Sequence, residues 1–214
     1  MTDRRRDGAA KGNAGEAAAP RLQVEHYEGH AALCADGVVH SVALGPGEGA
    51  FGYWAAMLPA GFPARALLLG VGGGTLAHLL VRRNPAVRLL GVDNDPEVVA
   101  FAQQHFGLQL PNLEVVIADA FAFVDACRER FDYVAVDLFT GHTFHRGVLA
   151  RPFLRRLREL LAPGGEIAIN MFRDRRAEVR LGRIRRVLPV QQVQRLPRNV
   201  VVHSRPDAPP VNAS

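Results

Sequence analysis

The hydrophobic positions of this chain change their spacing repeatedly between residues 21 and 204. Short runs dense in Val, Ile and Leu predict strands that are buried on both faces, at Ala66–Leu69, Val87–Val92, Leu113–Ile117, Tyr133–Val136 and Glu166–Met171. Helical spacing between these runs predicts helices at Gly74–Arg83, Pro96–Phe106, Ala120–Cys127 and Val148–Leu161. Strands and helices in strict succession are typical of a parallel sheet with right-handed crossovers. The pattern therefore predicts an α/β fold.

Smaller elements flank this α/β region. Residues 21–44 alternate loosely between apolar and polar side chains, and Asp36-Gly37 separates two apolar runs, which indicates a β-hairpin. A short helix follows before prolines break the chain. Near the other end, Val190–Gln194 and Asn199–His203 predict an antiparallel pair at the edge of the sheet.

Composition suggests how the chain is divided. Residues 1–20 are rich in Gly, Ala and charge, and residues 205–214 contain three prolines, so we expect mobile tails at both places. Between the tails we expect a hairpin with a linking helix at 21–64 and the α/β domain at 65–204. No apolar stretch approaches the ~20 residues of a membrane helix and no secretory signal is visible, so we expect a cytoplasmic protein without membrane contact.

A glycine loop follows the first strand of the α/β region, with the sequence Gly70-Val71-Gly72-Gly73-Gly74-Thr75. Glycines at this place let the backbone approach a ligand, although a tight turn that needs glycine for packing has the same sequence. The second strand ends about 20 residues later in Asp93-Asn94, where a carboxylate can accept both hydroxyls of a ribose. The two features together predict a nucleoside-type ligand.

Two more strands also end in acids. Asp119 follows the third strand, where it can accept from an exocyclic amine such as that of adenine, cap the next helix, or do both. Asp137 ends the fourth strand and opens Leu138–Gly147, the longest predicted loop. Open α/β sheets bind ligands at the carboxyl ends of their strands. A nicotinamide oxidoreductase has no obvious use for Asp119, so the sequence favours an adenosyl sulfonium cofactor.

The formal charge of +5 has a local origin. Seven arginines lie between Arg173 and Arg186, against only Asp174 and Glu178, and they account for the whole surplus. Apolar residues recur at helical spacing in the same stretch, at Ala177, Leu181, Ile184 and Leu188. The arginines therefore fit the solvent-exposed face of an amphipathic helix. The alternative is a surface that binds an acidic partner or RNA. Because positive and negative charges are equal in number over the rest of the chain, nucleic-acid binding is disfavoured.

Five segments, in this order and spacing, resemble the spermidine synthase-like branch of the class I S-adenosylmethionine-dependent methyltransferases: LLLGVGGGTLAHLL, GVDNDPEVV, NLEVVIADAFAFV, FDYVAVDLF and LLAPGGEIAINMF. Upstream, ADGVVHSVALGPGEGAFGYWAAML is similar to the segment that joins the N-terminal hairpin of that family to its cofactor domain. The resemblance implies a Rossmann-like fold and a transferase. It also implies S-adenosyl-L-methionine or decarboxylated S-adenosylmethionine as the cofactor, and a homodimer.

The resemblance carries roles for individual residues. Cofactor-binding residues would be Gly70, Gly72, Gly73, Gly74, Thr75, Asp93, Asn94, Asp119 and Ala120. Asp137 would be the catalytic acid that faces an acceptor amine. The acceptor pocket would include His40, Tyr53, Trp54, Phe139 and Thr140, with core packing as the alternative for the aromatic residues.

Four places depart from the pattern of the spermidine synthases. An acid is replaced by Thr75, a His-Glu pair by Trp54-Ala55, a second acid by Thr140 and a glutamine by His40. A diammonium substrate needs carboxylates to offset the desolvation of its charges. We therefore expect transfer of a methyl or other alkyl group to a small, amine-containing acceptor, with aminopropyl transfer as the alternative.

Three observations complete the sequence hypotheses. Leu68 stands where many ordinary methyltransferases carry an acid, which favours the polyamine-type branch. His142 and His145 could join Asp137 around a metal, but two loop histidines without further ligands are usually pocket or surface residues, so no metal site is predicted. A non-catalytic nucleoside-binding module with a basic face is the alternative from another class.

Overall fold

A computed structural model describes residues 22–35, 37–45, 47–140 and 143–206 of the chain, except for the side chain of Thr140. The predicted tail at 1–20 lies outside the described residues, as do Asp36, His142 and the last eight residues of the second predicted tail. Within the described ranges, no helix is long and apolar enough to cross a membrane.

The first three strands form a small antiparallel sheet. They are β1 (Leu22–Tyr27), β2 (His30–Ala35) and β3 (Val38–Val42), and they pair in sequence order. The antiparallel pairing of β2 with β3 around residue 36 confirms the predicted hairpin. A second turn joins β1 to β2 at Glu28-Gly29, where φ is 50° and 85°. Positive φ at both central residues is typical of tight two-residue hairpin turns.

The main sheet has seven strands: β4 (Arg65–Leu69), β5 (Arg88–Asp93), β6 (Leu113–Ile117), β7 (Phe131–Val136), β10 (Leu161–Phe172), β11 (Val190–Arg195) and β12 (Asn199–Ser204). Their order is β11-β12-β10-β7-β4-β5-β6. β10, β7, β4, β5 and β6 are parallel, and β12 runs antiparallel to both of its neighbours. The strand order reverses between β4 and β7, so the sheet has its topological switch point there.

Helices cover both faces of this sheet: α1 (Gly52–Ala56), α2 (Thr75–Arg83), α3 (Pro96–His105), α4 (Ala120–Ala126), α5 (Arg151–Glu159) and α6 (Ala177–Arg185). Leu67 and Leu69 of β4 pack into the core under α4, α5 and α6, whereas Ala66 and Leu68 pack into the core under α1 and α2. Successive side chains of a strand point to opposite faces, which explains the unbroken apolar run in β4. Ala177, Leu181, Ile184 and Leu188 are buried, as the amphipathic pattern predicts.

The region after β7 differs from the prediction. The loop Leu138–Gly147 is not without structure, because β8 (Phe139–Thr140) pairs with β9 (Thr143–Phe144). The single helix predicted at Val148–Leu161 is also wrong. A 3₁₀ turn occupies Arg146–Leu149 and α5 begins separately, with Pro152 in its first turn. Proline lacks an N–H group and fits the first turn of a helix, where that group has no partner.

A buried charged cluster fastens α1 to the main sheet. Glu166 and His203 are 5% and 4% exposed, and their side chains lie 2.6 Å apart between Oε1 and Nδ1. Arg205 donates to the other oxygen of Glu166 at 2.7 and 2.8 Å. The second ring nitrogen of His203 lies 2.7 Å from the carbonyl oxygen of Ala56, at the end of α1. Burial disfavours ionisation of Glu166, but the hydrogen bonds and charges of His203 and Arg205 outweigh it and lower its pKa.

Candidate functional site

The carboxyl ends of β4, β5, β6 and β7 meet at one edge of the main sheet. Backbone hydrogen bonds continue past the strands, from Gly70 N to Val92 O at 2.9 Å and from Asp137 N to Leu69 O at 2.8 Å. Ala118 N donates to Asp93 O at 2.9 Å, so the chain enters Asp119 beside the end of β5. The glycine loop and the three predicted acids therefore lie along the same edge, next to the switch point.

Gly70 is the point where the loop approaches Asp137. Its φ is +86°, and a Cβ built on it would lie 2.2 Å from the carbonyl oxygen of Asp137. A side chain is excluded both by this contact and by the left-handed backbone. The glycine at this position therefore serves the packing of β4 against β7 as well as any ligand.

Asp93 holds the glycine loop in place. Its Oδ2 accepts from Val71 N at 2.9 Å and Gly72 N at 3.1 Å, and its Oδ1 accepts from Asp95 N at 3.1 Å. The sequence predicted a ligand contact for Asp93 and missed this second role. Carboxylate oxygens accept about four hydrogen bonds in total, so one acceptor position stays open on Oδ1. The neighbouring Asn94 is exposed.

Two hydroxyl groups join the glycine loop to β3. Ser41 Oγ accepts from Gly73 N at 2.7 Å, and Thr75 Oγ1 both donates to Val42 O and accepts from Val42 N, at 2.8 Å each. Thr75 is 1% exposed, and its bonds to Val42 direct its hydroxyl toward the hairpin. The predicted acceptor residue His40 lies next to Ser41, and its carbonyl oxygen would be 3.4 Å from a Cβ on Gly72. The N-terminal sheet is thereby part of the wall of the site.

Asp137 is a carboxylate held on two sides. Asn170 Nδ2 donates to its Oδ1 at 2.8 Å, and Tyr53 also donates to its side chain. Burial raises the pKa of Asp137 to about 6, the two hydrogen bonds oppose this rise, and the negative charge of Asp93 adds to it. Asp137 is consequently a carboxylate at neutral pH whose affinity for a proton is much higher than that of an exposed aspartate.

Asn170 is a site residue that the sequence hypotheses missed. It is 1% exposed near the carboxyl end of β10, and its Oδ1 accepts from Asn199 Nδ2 at 3.0 Å. Because Asn199 occupies the amide oxygen, the amide nitrogen of Asn170 is left to face Asp137. One signal was available in the sequence, since an asparagine interrupts the otherwise apolar run IAINMF.

The two aromatic residues predicted for the acceptor pocket differ in their surroundings. Trp54 is 4% exposed and packs with Val42 and Leu79 between the hairpin and α2, so it is a core residue. Tyr53 packs against it with ring centroids 4.3 Å apart and the ring planes tilted by 33°, and is half-buried. Burial, together with the charge and hydrogen bond of Asp137, raises the pKa of Tyr53 well above its usual range. Tyr53 therefore keeps its proton and donates it to Asp137 as a hydrogen bond.

Asp119 caps α4, because its Oδ1 accepts from Ala122 N at 2.8 Å. The structure thus shows the capping role that the sequence allowed, and its second oxygen is not used by this bond. Ala120 follows it as a buried residue at the start of α4.

Phe139 packs edge-on against Phe144 and Phe172, with ring centroids 5.8 and 4.7 Å apart. These contacts favour the core interpretation of Phe139. Thr140 pairs through its backbone with Thr143.

His145 has a structural environment of its own. Its Nδ1 accepts from Gly147 N at 3.2 Å, and its ring lies 4.6 Å from that of Phe121. Among the described residues, no three His, Cys, Asp or Glu side chains are grouped closely enough to hold a metal ion.

Comparisons with known proteins agree with this architecture. A family model described as a methyltransferase domain matches residues 66–165. A Drosophila pseudoobscura pseudoobscura protein named eEF1A lysine and N-terminal methyltransferase homolog is 34% identical over 115 residues, 49% of this chain and 17% of that protein. The probable polyamine aminopropyl transferase of Bifidobacterium longum (strain NCC 2705) is 30% identical over 106 residues, 50% of this chain and 24% of that protein.

A crystal structure of spermidine synthase, in complex with the transition state analogue AdoDATO, superposes with a TM-score of 0.74. The match is 15% identical and covers 92% of this chain and 74% of the other, so it concerns the fold and includes the N-terminal sheet.

Together these matches show that the chain has the fold of the S-adenosylmethionine-dependent methyltransferases. In sequence the chain is similar to polyamine aminopropyltransferases, and in fold it is similar to spermidine synthases, the branch that the sequence resemblance implies. The chain spans less than a quarter of the length of the two curated relatives described above.

Proposed function

We propose that this protein transfers a methyl or other alkyl group from S-adenosyl-L-methionine to a small acceptor that contains an amine, with Asp137 as the base. The observation that carries the proposal is the Asp137 carboxylate, whose pKa of about 6 suits proton removal near neutral pH. It lies at the sheet edge beside Gly70, where ligands of open α/β sheets bind.

The residues at this edge fit an adenosyl cofactor. Asp93 keeps an acceptor position for a ribose hydroxyl while it holds the glycine loop. Asp119 has an oxygen that its capping bond does not use, and with Ala120 it would frame the adenine. The glycine loop, Thr75 and Asn94 complete the proposed cofactor site; for Thr75 this contact would involve the backbone, since its hydroxyl binds Val42. Human methyltransferase-like protein 13 has a similar fold in complex with SAH, at a TM-score of 0.61.

The proposed reaction is a displacement at a carbon attached to sulfur. When bound, S-adenosylmethionine supplies that carbon already activated by the positively charged sulfonium. Asp137 accepts a proton from the acceptor nitrogen as the new nitrogen–carbon bond forms and the sulfur–carbon bond breaks. Tyr53 and Asn170 hold the carboxylate so that its lone pair is directed at the acceptor, because each donates to it from a fixed position.

Aminopropyl transfer from decarboxylated S-adenosylmethionine is the second candidate. The similarity to polyamine aminopropyltransferases and the shared N-terminal sheet favour it. Two replacements count against it. Thr140 stands in place of the second acid after Asp137, and Trp54, where the spermidine synthases carry a charged residue, is a core residue. A diamine would therefore lose its hydration without enough opposite charge. A cytoplasmic location and a homodimer remain predictions.

The decisive experiment incubates the full chain with each donor and a panel of mono- and diamines, and identifies the released thioether by mass spectrometry. We expect S-adenosylhomocysteine as the product. Release of methylthioadenosine would establish the second candidate instead. Asp93→Ala should abolish cofactor binding in calorimetry, whereas Asp137→Asn should bind the cofactor and lose turnover. The proposal fails if the chain binds neither sulfonium nucleoside at millimolar concentration.

A further inference from the structure

An arginine-lined groove lies at the amino ends of the parallel strands, whereas the proposed cofactor site lies at their carboxyl ends. Its volume is about 720 Å³, and it is lined on α5 by Arg151, Arg155, Arg158 and Glu159, and elsewhere by Arg130, Arg186, Val187, Leu161 and Pro163. Arg130 precedes β7 and Leu161 begins β10, so the groove is at the amino ends of these parallel strands. We call it the arginine groove.

The residues that the structure describes do not neutralise the positive charge of the arginine groove. Its five arginines are exposed, and Glu159 is the single carboxylate among the described residues that line the groove. That carboxylate is already engaged by Arg156, at 2.8 Å. Within the described ranges, Arg151, Arg155, Arg158 and Arg186 form no ion pair; this contrasts with Arg180, which binds Asp174 through both of its terminal nitrogens.

These arginines occupy positions that stability alone disfavours. Arg151 lies in the first turn of α5, where the helix dipole repels a cation, and that turn holds no acid. Arg155 follows Arg151 by four residues and precedes Arg158 by three, so neighbouring side chains on the same helix face carry like charges. Where a sequence departs from local stability rules without compensation, a functional reason is the first to consider.

We propose that the arginine groove binds an acidic segment of a polypeptide. Guanidinium groups present paired N–H donors that match a carboxylate in two parallel hydrogen bonds. Pro163 and Val187 supply apolar surface between the arginines, which suits the aliphatic side chains that separate carboxylates along a peptide. The groove thus matches a chain that carries both negative charge and apolar groups.

Nucleic acid fits the groove less well. Proteins that bind single strands combine positive charge with aromatic side chains on which the bases stack, and no aromatic residue from the described part of the chain lines the groove. The groove also differs from the predicted basic face of α6, since most of its arginines come from α5. Its distance from the carboxyl edge of the sheet makes this proposal independent of the proposed transferase reaction.

The test is fluorescence anisotropy with the full chain and a short labelled peptide of alternating glutamate and valine. Two further probes are the same peptide with glutamine in place of glutamate and an RNA oligonucleotide of equal charge. We expect the acidic peptide to bind most tightly, with an affinity that falls as salt is added, and the glutamine peptide not to bind.

The variants separate the groove from general electrostatic attraction. Arg155→Glu combined with Arg158→Glu should weaken binding of the acidic peptide by roughly tenfold or more, and the glutamine versions of both residues should have an intermediate effect. The matched control is Arg88→Glu with Arg183→Glu, two exposed arginines outside the groove that make the same change in net charge. Circular dichroism melting curves establish that each variant is folded.

Three results would overturn the proposal. The first is tighter binding of the RNA than of the acidic peptide, which would assign the groove to nucleic acid. The second is an equal loss of affinity in the control variant, which would mean that net charge alone attracts the peptide. The third is no saturable binding of the acidic peptide to the wild-type chain at low salt.

Discussion

Asn170 donates from Nδ2 to Oδ1 of Asp137 across 2.8 Å, between the neighbouring parallel strands β10 and β7. The donor is buried and its own oxygen is occupied by Asn199, so this hydrogen bond has one orientation. The pKa of the Asp137 carboxyl group therefore depends on its burial and on the hydrogen bonds that it receives. Substitutions around Asp137 should therefore appear as changes in pH dependence.

The first prediction concerns the rate of the proposed transfer as a function of pH. Because the base has to be ionised, kcat/KM should rise with pH through a pKa of about 6 and then level off. Asp137→Asn should reduce kcat by about 10²-fold or more, the usual contribution of a general base, with little effect on cofactor binding. Turnover at the wild-type rate in Asp137→Asn would remove this residue from the mechanism.

A second prediction links Asn170 to the same pH profile. The hydrogen bond from Asn170 favours the ionised carboxylate, so Asn170→Leu should shift the midpoint of the profile to higher pH. Asn199→Ala is the graded comparison: it keeps the donor to Asp137 and removes only the bond that orients Asn170, so the midpoint should shift less than in Asn170→Leu. A drop in rate at every pH, without a shift of the midpoint, would indicate that Asn170 is needed only for packing.

A third prediction concerns stability. The pKa of Asp137 is raised in the folded state, so its contribution to stability is full below its ordinary pKa near 3.8 and is lost as pH rises through about 6. Asp137→Asn avoids this loss and should be more stable than the wild type at pH 8, by roughly 1–3 kcal/mol. Urea denaturation at pH 4 and pH 8 measures the difference, which should be larger at pH 8.

Removing the hydroxyl of Thr75 should weaken the attachment of the hairpin to the glycine loop, because two of their three buried hydrogen bonds are lost. Thr75→Val keeps the shape of the side chain but leaves the buried N–H and C=O of Val42 without this partner, at a cost of about 1–3 kcal/mol. Thr75→Ser retains the hydroxyl and is the control. Thermal melts of the two variants check the expectation, and equal melting temperatures would contradict it.

The buried cluster around Glu166 gives a fifth prediction. Glu166→Gln would remove the negative charge that pairs with His203 and Arg205, and should destabilise the protein by about 3–5 kcal/mol. Glu129→Gln, which breaks the exposed pair with Arg65, should cost about 1 kcal/mol or less. Because the pKa of Glu166 is lowered, its contribution exists above its ordinary pKa of 4.5 and should disappear as pH falls below that value.

The sequence was sufficient to predict the elements that position the site. The apolar runs end at Gly70, Asp93 and Asp137 because strands buried on both faces have to be continuous and polar residues collect where they leave the core. The antiparallel pair at the edge was also predicted, and the structure confirms it with β11 and β12.

The partners of these residues were not predicted. Ser41 binds a residue 32 positions away, and Asn170 binds one 33 positions away, so neither contact has a local pattern. The pairing of Phe139 with Phe144 was missed for a different reason, because strands of two residues are too short to show periodicity. Tertiary contacts of this kind follow from the fold and become visible only after the fold is known.

The bonds of Ser41 and Thr75 to the glycine loop and β3 also bear on how a ligand would enter. A flap can open over a pocket only if few interactions hold it closed. Here the hairpin and the glycine loop share three buried hydrogen bonds. The hairpin would therefore travel with the loop as one body. Ligand access to the proposed cofactor site then depends on movement of the neighbouring segments, and the hairpin forms a fixed wall at its entrance.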